Sequence, residues 1–198
     1  MAENDQIAPA GFEAGNVLDD QIPADSFGRD SATGLEKIIE EYSNDVARFA
    51  NRLLGWPGDT DDIVQDVFLA AYKGLKKFRG HSSIKTWLFT ITINKCRTWR
   101  YKRVLRLKTI KKISSGTSLQ MQSGAEAAPM KQEVFERVRK IVTALPLKYR
   151  EPVVLKYLQE LSTAEITGIL GITQNTLNVR LSRARKILKN NLADLLED

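Results

Sequence analysis

From Leu35 onwards, apolar residues recur at spacings of three and four, which is the periodicity of an amphipathic α-helix. The residues that share this face are Ile38, Ile39, Tyr42, Val46, Phe49, Ala50 and Leu53. The segment GWPGDT at 55–60 interrupts the pattern, because glycine and proline favour turns. Either Asp59 or Thr60 can cap the helix that follows. The pattern therefore predicts one helix from Leu35 and a second from Asp61.

The second helix, which we predict to run to about Phe78, has two different faces. Its apolar stripe comprises Val64, Val67, Phe68, Ala71, Tyr72 and Leu75. Its other face comprises Asp62, Gln65, Asp66 and Leu69. Aspartates at a helix start complement the helix dipole, but this does not account for Asp66 and Leu69. A metal or acid–base site would need further convergent polar groups. Acids, an amide and a leucine on one open face are more typical of a docking surface for a basic partner.

The next stretch, IKTWLFTITINKCRTWRYKR, is ambiguous. Its aromatic and β-branched run WLFTITI predicts a strand from local propensity. Trp87, Leu88, Ile91 and Trp99 also fit a helical stripe, and the lack of a partner strand nearby favours the helix. Basic residues alternate with aromatic ones here, which suits binding to exposed bases of single-stranded nucleic acid. For each tryptophan taken alone, a place in the core is the simpler interpretation.

Residues 104–130 change in character, from a basic half to the segment SSGTSLQMQSGAEAAP. Small polar residues without periodicity predict a flexible linker and a domain boundary. Helical periodicity returns at Lys131. The apolar face of that helix comprises Val134, Val138, Ile141, Val142 and Leu145. Pro146 ends it, and a further helix follows to about Gln159. Pro152 is tolerated there only in the opening turn and would otherwise kink the helix.

The C-terminal segment has the pattern of a helix-turn-helix. The sequence STAE at 162–165 is a capping box in front of an apolar helix, and GIT at 171–173 makes a tight turn. The last helix, from about Gln174 to Leu188 or beyond, has no acid among residues 173–189. Its inward stripe comprises Leu177, Leu181, Ala184 and Leu188, and its cations are Arg180, Arg183, Arg185, Lys186 and Lys189. Short polar side chains near its start suit base edges in the major groove, and arginines suit phosphates. The alternative is a solvated basic helix on an ordinary bundle.

Charge is distributed unevenly over the 198 residues, whose formal total is +6. Residues 1–34 carry seven acids and one base, a charge of −6, so the remainder carries +12. A body this basic indicates a polyanionic partner, most simply nucleic acid. The acidic segment lacks periodicity and is predicted to be a disordered tail. We expect this tail to screen the DNA-binding faces of the free protein.

The sequence also argues against several kinds of site. Cys96 and His81 are the single cysteine and histidine, so neither an intrachain disulfide nor an ordinary zinc site is predicted. Cys96 lies in a stretch that resembles a buried helix, where a structural role is expected. There is no Walker-type phosphate loop or dinucleotide fingerprint. No apolar run reaches the length of a membrane span, and no secretory signal is visible. We therefore expect a cytoplasmic protein without metal or cofactor.

Two stretches resemble a known family. DTDDIVQDVFLAAYKGLKKFRGHSSIKTWLFTITINKCRTWRYKR resembles region 2 of the extracytoplasmic-function (ECF) sigma factors of the sigma-70 family. ALPLKYREPVVLKYLQELSTAEITGILGITQNTLNVRLSRARKIL resembles their region 4. The resemblance implies an all-α, two-domain subunit of bacterial transcription initiation, and it favours the helix for the ambiguous stretch. The implied divisions are a tail at 1–34, region 2 at 35–103, a linker at 104–130 and region 4 at 131–198.

The resemblance implies three binding surfaces. The docking face would contact the basic coiled-coil of the polymerase beta-prime subunit, with further core contact through the beta subunit. The residues implied to read and open the −10 element are Phe78, Arg79, Ser82, Lys85, Asn94, Lys95, Arg97, Thr98 and Tyr101. Those implied to read the −35 element are Asn175, Thr176, Asn178, Val179, Arg180, Ser182, Arg183 and Lys186. Asn178 and Val179 depart from the family's common pattern, so the −35 preference stays unassigned, although asparagine suits an adenine.

The implied partners are core RNA polymerase, promoter DNA and an anti-sigma factor, with the free protein a monomer, not an enzyme and not inserted in a membrane. The main alternative is a stand-alone helix-turn-helix regulator, which would normally carry a dimerisation surface. No heptad pattern or other dimer signature is visible. A metal-dependent nuclease that uses the aspartates is a third class, but the sequence lacks supporting ligands.

Overall fold

The described part of the computed structural model covers residues 31–55, 60–113 and 130–193, and within it every regular element is a helix. The all-α fold predicted from the sequence is confirmed. The helices in chain order are α1 (Ser31–Leu54), α2 (Thr60–Leu75), α3 (Ile84–Ile113), α4 (Met130–Ala144), α5 (Leu147–Val153), which continues as a π-helical turn (Val154–Leu158), α6 (Thr163–Leu170) and α7 (Gln174–Ala193). No helix among these described residues is long and apolar enough to cross a membrane.

Helices α1, α2 and α3 pack together as the first bundle. Its core contains Val46, Phe49 and Phe89, all fully buried, and the two phenylalanine rings lie 4.4 Å apart. Most of the predicted stripes are buried, but Ile39 and Tyr72, both assigned to them, are 37% and 48% exposed. Those two assignments are wrong, because each residue lies at the edge of its stripe and three helices cover only part of each circumference.

The ambiguous stretch is entirely helical, as part of α3. Its β-branched residues are accommodated because threonine can donate its hydroxyl hydrogen to the carbonyl four residues earlier. Thr92, which is fully buried, donates to Leu88 O at 2.8 Å, and Thr90 donates to Thr86 O at 3.0 Å. Burial inside a three-helix bundle thus overrides the local preference for a strand.

The second bundle consists of α4 to α7 and contains the predicted helix-turn-helix. The capping box is present: the Ser162 side chain accepts from the backbone of Glu165, whose side chain accepts from Ser162. Gly171 closes α6 in the left-handed conformation at φ 63°. Pro152 lies inside α5 rather than in its opening turn, and a π-helical turn follows directly. Proline cannot donate to the helical ladder, and π-helical turns absorb such irregularities.

The observed boundaries differ from those predicted. Helix α1 begins at Ser31, within the segment assigned to the tail, and α2 ends at Leu75 rather than near Phe78. Helix α3 extends ten residues into the segment 104–130 predicted as a linker. On α4, Val138 is 40% exposed, against its predicted place in the core. The rest of the tail, Asp59 and the side chain of Val134 lie outside the described residues.

The two bundles pack directly against each other. Helix α6 lies on α3, while α4 and the π-helical turn lie on α1. The buried residues of both bundles form one continuous apolar cluster, which includes Leu53 and Leu88 from the first bundle and Leu155 and Ile166 from the second. The sequence indicated no such contact between the predicted domains.

Candidate functional site

The docking face predicted on α2 is open to solvent. Asp62, Gln65, Asp66 and Leu69 are all exposed, and Leu69 is 60% exposed although it is apolar. Tyr72, one helical turn beyond Leu69, lengthens the apolar end of this face. Neither residue is covered by another described element. No group of three or more metal-ligating side chains occurs in the described part of the chain. The face is therefore accessible to a partner, and its described residues do not form such a group.

The residues predicted to contact the −10 element divide into three kinds of environment. Exposed side chains belong to Arg79, Asn94, Thr98 and Tyr101. Tyr101 is 70% exposed, which leaves its ring free to stack on a base. Half-buried side chains belong to Phe78, Ser82, Lys85 and Lys95. Arg97 forms an ion pair with Glu151 of the second bundle. The exposed residues on α3 recur at spacings of three and four, so they lie along one face.

Two of the half-buried residues have roles inside the first bundle. Lys85 forms an ion pair with Asp45 of α1 at 2.8 Å. The ring of Phe78 lies 4.9 Å from that of Trp87, which is buried and belongs to the core. Trp99 is partly buried beneath the guanidinium of Arg103, 5.0 Å from its ring centroid. The simpler interpretation of the tryptophans as packing residues therefore fits the structure.

Arg97 and Glu151 form a two-point ion pair between α3 and α5. Arg97 Nε donates to Glu151 Oε1 at 2.7 Å, and Nη2 donates to Oε2 at 2.6 Å. The Glu151 side chain is 4% exposed and that of Arg97 is 39% exposed. The hydrogen bonds that Arg97 donates to Glu151 outweigh partial burial and raise the pKa of Arg97. Sequence analysis missed Glu151, because nothing in LKYREPV distinguishes a buried acid from a solvated one.

Arg150, next to Glu151, is also buried and bridges the two bundles. Nη1 donates to Leu53 O at the end of α1, at 2.8 Å, and Nη2 donates to Leu145 O at 3.1 Å. Its Nε is buried without a hydrogen-bond partner. Burial, together with the nearby charge of Arg100, lowers the pKa of Arg150 to about 10. A buried guanidinium that is bound mainly by carbonyl oxygens is stabilised less well than one bound by a carboxylate.

A polar contact joins the start of α3 to the start of α6. Thr86 Oγ1 donates to Glu165 Oε1 at 3.1 Å, and Ser83 Oγ donates to Thr86 Oγ1 at 2.9 Å. Glu165 thus closes the capping box of α6 and binds the first bundle with the same carboxylate. The motif STAE predicted the first of these roles but not the second.

Helix α7 presents the surface predicted to read the −35 element. The exposed members of that set are Asn175, Asn178, Val179, Ser182, Arg183 and Lys186, while Thr176 and Arg180 are half-buried. The stripe of Leu177, Leu181 and Ala184 is buried beneath them. Arg183 is also within hydrogen-bonding reach of the Tyr149 hydroxyl, and this contact lowers the pKa of Tyr149.

Cys96 has the structural role expected from the sequence. It is 2% exposed, and burial together with the Glu151 charge raises the pKa of its thiol to about 12. His81 is exposed in the turn before α3.

The sequence matches two family models in chain order. Residues 38–104 match the model for Sigma-70 region 2, and residues 135–188 match that for Sigma-70, region 4. The RNA polymerase sigma factor YlaC of Bacillus subtilis is 31% identical over 164 residues, which cover 83% of this chain and 95% of that protein. The ECF RNA polymerase sigma-E factor of Escherichia coli K12 is 27% identical over 186 residues, 90% of this chain and 97% of that protein.

Solved structures with the same fold include two complexes. The sigma factor RpoE from Bartonella quintana, bound to the anti-sigma factor NepR, matches with a TM-score of 0.64 at 22% identity, over 80% of this chain and 96% of that chain. CnrH, bound to the cytosolic domain of CnrY, matches with a TM-score of 0.62 at 26% identity, over 86% and 95% of the two chains.

Proposed function

The chain belongs to the ECF group of the sigma-70 family and is an RNA polymerase sigma factor, and we propose that the exposed face of α2 binds core polymerase. The observation that carries this assignment is that Asp62, Asp66 and Leu69 lie open on a body that is otherwise basic. A basic coiled-coil, as expected of the beta-prime subunit, is complementary to such a face in charge. Tyr72 extends the contact beyond the residues expected from the sequence. The beta subunit would supply further contact.

The first bundle would read and open the −10 element through α3. Asn94, Thr98 and Tyr101 provide an amide, a hydroxyl and an aromatic ring on one exposed face of this helix. These groups can hydrogen-bond to exposed base edges and stack on bases that have left the duplex. Arg79, exposed in the segment before α3, would contact the backbone phosphates. Lys85 and Arg97 would add charge once their present acidic partners release them.

The second bundle would read the −35 element through α7. The amides of Asn175 and Asn178 lie towards the start of the helix, and Arg183 and Lys186 follow along the same exposed side. In a helix-turn-helix the start of the second helix approaches base edges, while basic residues bind the phosphates. We assign base contact to Asn178 and phosphate contact to Lys186.

The remaining parts of the proposal concern partners and setting. The protein would act in the cytoplasm, where RNA polymerase acts, as a non-enzymatic subunit that needs no cofactor or metal. The two similar solved structures are complexes with an anti-sigma factor and with a cytosolic domain. This supports control of the present chain by an anti-sigma factor. The similarity to the Escherichia coli sigma-E factor extends over 90% of this chain and includes both regions, which favours this function over a stand-alone regulator.

The test is promoter-dependent run-off transcription with purified core polymerase, combined with co-elution on size exclusion. The paired change Asp62→Arg and Asp66→Arg should lower affinity for core at least ~10-fold, because it places like charges opposite the basic coiled-coil. The matched control is Glu36→Arg with Glu40→Arg on α1, which has the same spacing on an exposed helix. The docking assignment would be contradicted if the control variant also lost core binding. It would equally be contradicted if the paired change on α2 left core binding intact.

A further inference from the structure

We propose that Val179 contacts a thymine methyl group in the major groove, beside an adenine that Asn178 contacts. Together these two residues make the start of α7 selective for A·T base pairs. This inference rests on the proposed function, since it takes α7 as the helix that enters the −35 element. It deepens that function by naming the bases that the start of the helix recognises.

The reading face of α7 is one continuous strip of the helix surface. It is defined here as Asn175, Asn178, Val179 and Ser182. These residues are three, four and seven positions apart, so their side chains lie on the same side of the helix. All four are exposed, whereas Leu177 and Leu181 are buried on the other side. Packing of the two leucines fixes the rotation of α7, and the reading face therefore points away from the bundle.

Val179 is an apolar residue within this otherwise polar reading face. Among the side chains of α7 that the structure describes, it is the only large apolar one that is exposed, with 42% exposure. A single exposed apolar residue is common on protein surfaces and needs no explanation by itself. Val179, however, has an exposed amide beside it and lies on the side of the helix proposed to face base edges. A contact with an apolar group of the DNA gives this residue a role.

The start of α7 lacks the residues that read guanine. Arginine and lysine bind guanine O6 and N7, and neither occurs among residues 174–179. Arg180, the first cation of the helix, is half-buried. Asparagine instead pairs with adenine N6 and N7, and apolar side chains contact the thymine methyl group. The chemistry of the first two turns thus favours A·T over G·C base pairs.

Thr176, which belongs to the predicted −35 set, makes its contacts within the protein. Its backbone N–H donates to Thr173 Oγ1 at 3.2 Å, and the two hydroxyl groups lie 2.9 Å apart. Thr173 therefore caps the start of α7, and the half-buried Thr176 hydroxyl is held at this cap. Base contacts at the start of the helix consequently fall to Asn175, Asn178 and Val179.

Asn178 and Val179 are spaced to reach neighbouring base pairs. Consecutive Cα atoms are about 3.8 Å apart, and consecutive bases on one strand are about 3.4 Å apart. Cytosine lacks the thymine methyl group and carries an N4 amino donor, for which a valine offers no acceptor. A donor that loses its water without gaining a partner weakens binding. Val179 would therefore favour thymine over cytosine both by contact with the methyl group and by exclusion of the amino group.

The test begins with the free, full-length protein, which selects duplexes from a library randomised over about 10 base pairs, one helical turn. Each selected thymine is then replaced by deoxyuridine, which lacks only the methyl group. Each selected adenine is replaced by 7-deazaadenine, which lacks the N7 acceptor. Fluorescence anisotropy measures the affinity for every substituted duplex. Selection by Asn178→Ala and by Val179→Ala identifies the base pairs that depend on each residue.

The two base analogues should act through different residues. Deoxyuridine at one selected thymine should weaken binding of the wild type about 3-fold, since one apolar carbon leaves the contact. Val179→Ala should bind the thymine and deoxyuridine duplexes equally. Val138→Ala, which alters a valine of 40% exposure on α4, is the matched control and should keep the difference. 7-Deazaadenine should weaken binding of the wild type about 5-fold, through loss of one hydrogen bond, and should have no effect on Asn178→Ala.

The outcomes separate this inference from the proposed function. Equal affinity of the wild type for thymine and deoxyuridine at every selected position would overturn the contact of Val179 with a methyl group. Guanine or cytosine at the positions that depend on Asn178 and Val179 would overturn it as well, and either result would leave duplex recognition by α7 intact. Selection of no sequence would count against both the base preference and the −35 role of α7. Failure to co-elute with core polymerase would count against the proposed function alone, because the free protein would keep its base preference.

Discussion

Arg97 and Glu151 are 54 residues apart in the chain, yet they form the ion pair that joins the two bundles, with donor–acceptor distances of 2.7 and 2.6 Å. The acid is almost fully buried, whereas the arginine retains contact with solvent. This asymmetry decides what happens when either partner is lost. Removal of the arginine leaves a buried carboxylate without its counter-charge, a state that proteins avoid by letting water in.

Arg97→Ala should uncouple the unfolding of the two bundles. The wild type, with one continuous core, should melt in a single calorimetric transition, whereas the variant should show two, because the unpaired Glu151 favours separation of the bundles. Differential scanning calorimetry checks this. Arg48→Ala, which removes an exposed ion pair with Asp45, is the control and should keep the single transition. A single transition in Arg97→Ala would show that this pair does not hold the bundles together.

Gly55→Ala should destabilise the packing of α1 against α4. Gly55 has φ +71°, and an added Cβ would overlap with the methyl group of Thr143 across the interface. The change should cost about 1 kcal/mol of unfolding free energy for the strained φ alone, and more for the overlap. Urea titration followed by circular dichroism measures the loss.

The companion change Thr143→Gly separates these two contributions. In the double variant the overlap is gone. Its loss of unfolding free energy should therefore be smaller than the sum of the losses in the two single variants. Thr143→Gly alone gives the cost of placing glycine in the last turn of α4. Strict additivity of the three values would mean that the bundles do not approach each other at Gly55.

The thiol of Cys96 should be nearly inert in the native protein. A pKa raised from 9.0 to about 12 lowers the thiolate fraction at pH 8 by about three orders of magnitude. Reaction with a thiol-specific chromogenic reagent should therefore be slow at pH 8 and fast in denaturing urea. Because the charge of Glu151 contributes to this shift, Glu151→Gln should increase the native rate. Equal rates in native and denatured protein would contradict burial of this side chain.

Asn178→Ala and Lys186→Ala should have different effects on −35 DNA. Loss of a base contact at Asn178 should cost about 1–3 kcal/mol on the preferred duplex and weaken discrimination at one base pair. Loss of a phosphate contact at Lys186 should weaken binding to all sequences and reduce the salt slope by about 1. Fluorescence anisotropy over a set of single-base duplex variants and salt concentrations distinguishes these effects. Arg185→Ala, an exposed cation outside the proposed surface, is the comparison for Lys186.

Several local features followed from the sequence because they depend on nearby residues. The capping box at Ser162 and Glu165 and the glycine turn at Gly171 are such features. Periodicity also placed Asp62, Asp66 and Leu69 together on an exposed face of α2. A helix face is fixed by spacing alone, so these predictions needed no knowledge of the rest of the fold.

Other features could not be inferred because they depend on what packs where. The strand propensity of WLFTITI was overridden by burial within a bundle, where Thr92 donates to a backbone carbonyl. Tyr72 and Val138 match an apolar pattern but lie where no neighbouring helix covers them. The π-helical turn after Pro152 likewise reflects how α5 accommodates its proline among its neighbours.

Periodicity, caps and charge are local properties of a chain. For this reason the amino-acid sequence alone predicted an all-α protein with two family-specific regions, an open acidic face on α2 and a basic last helix. That the two bundles pack together, and that Arg97 of the predicted DNA surface binds Glu151, became visible only in the folded protein. Pairing between α3 and α5 depends on the burial of one acid among many, and burial is a property of the assembled fold. Because burial depends on the assembled fold, no sequence motif predicted the contacts of Arg150 with Leu53 O and of Glu165 with Thr86.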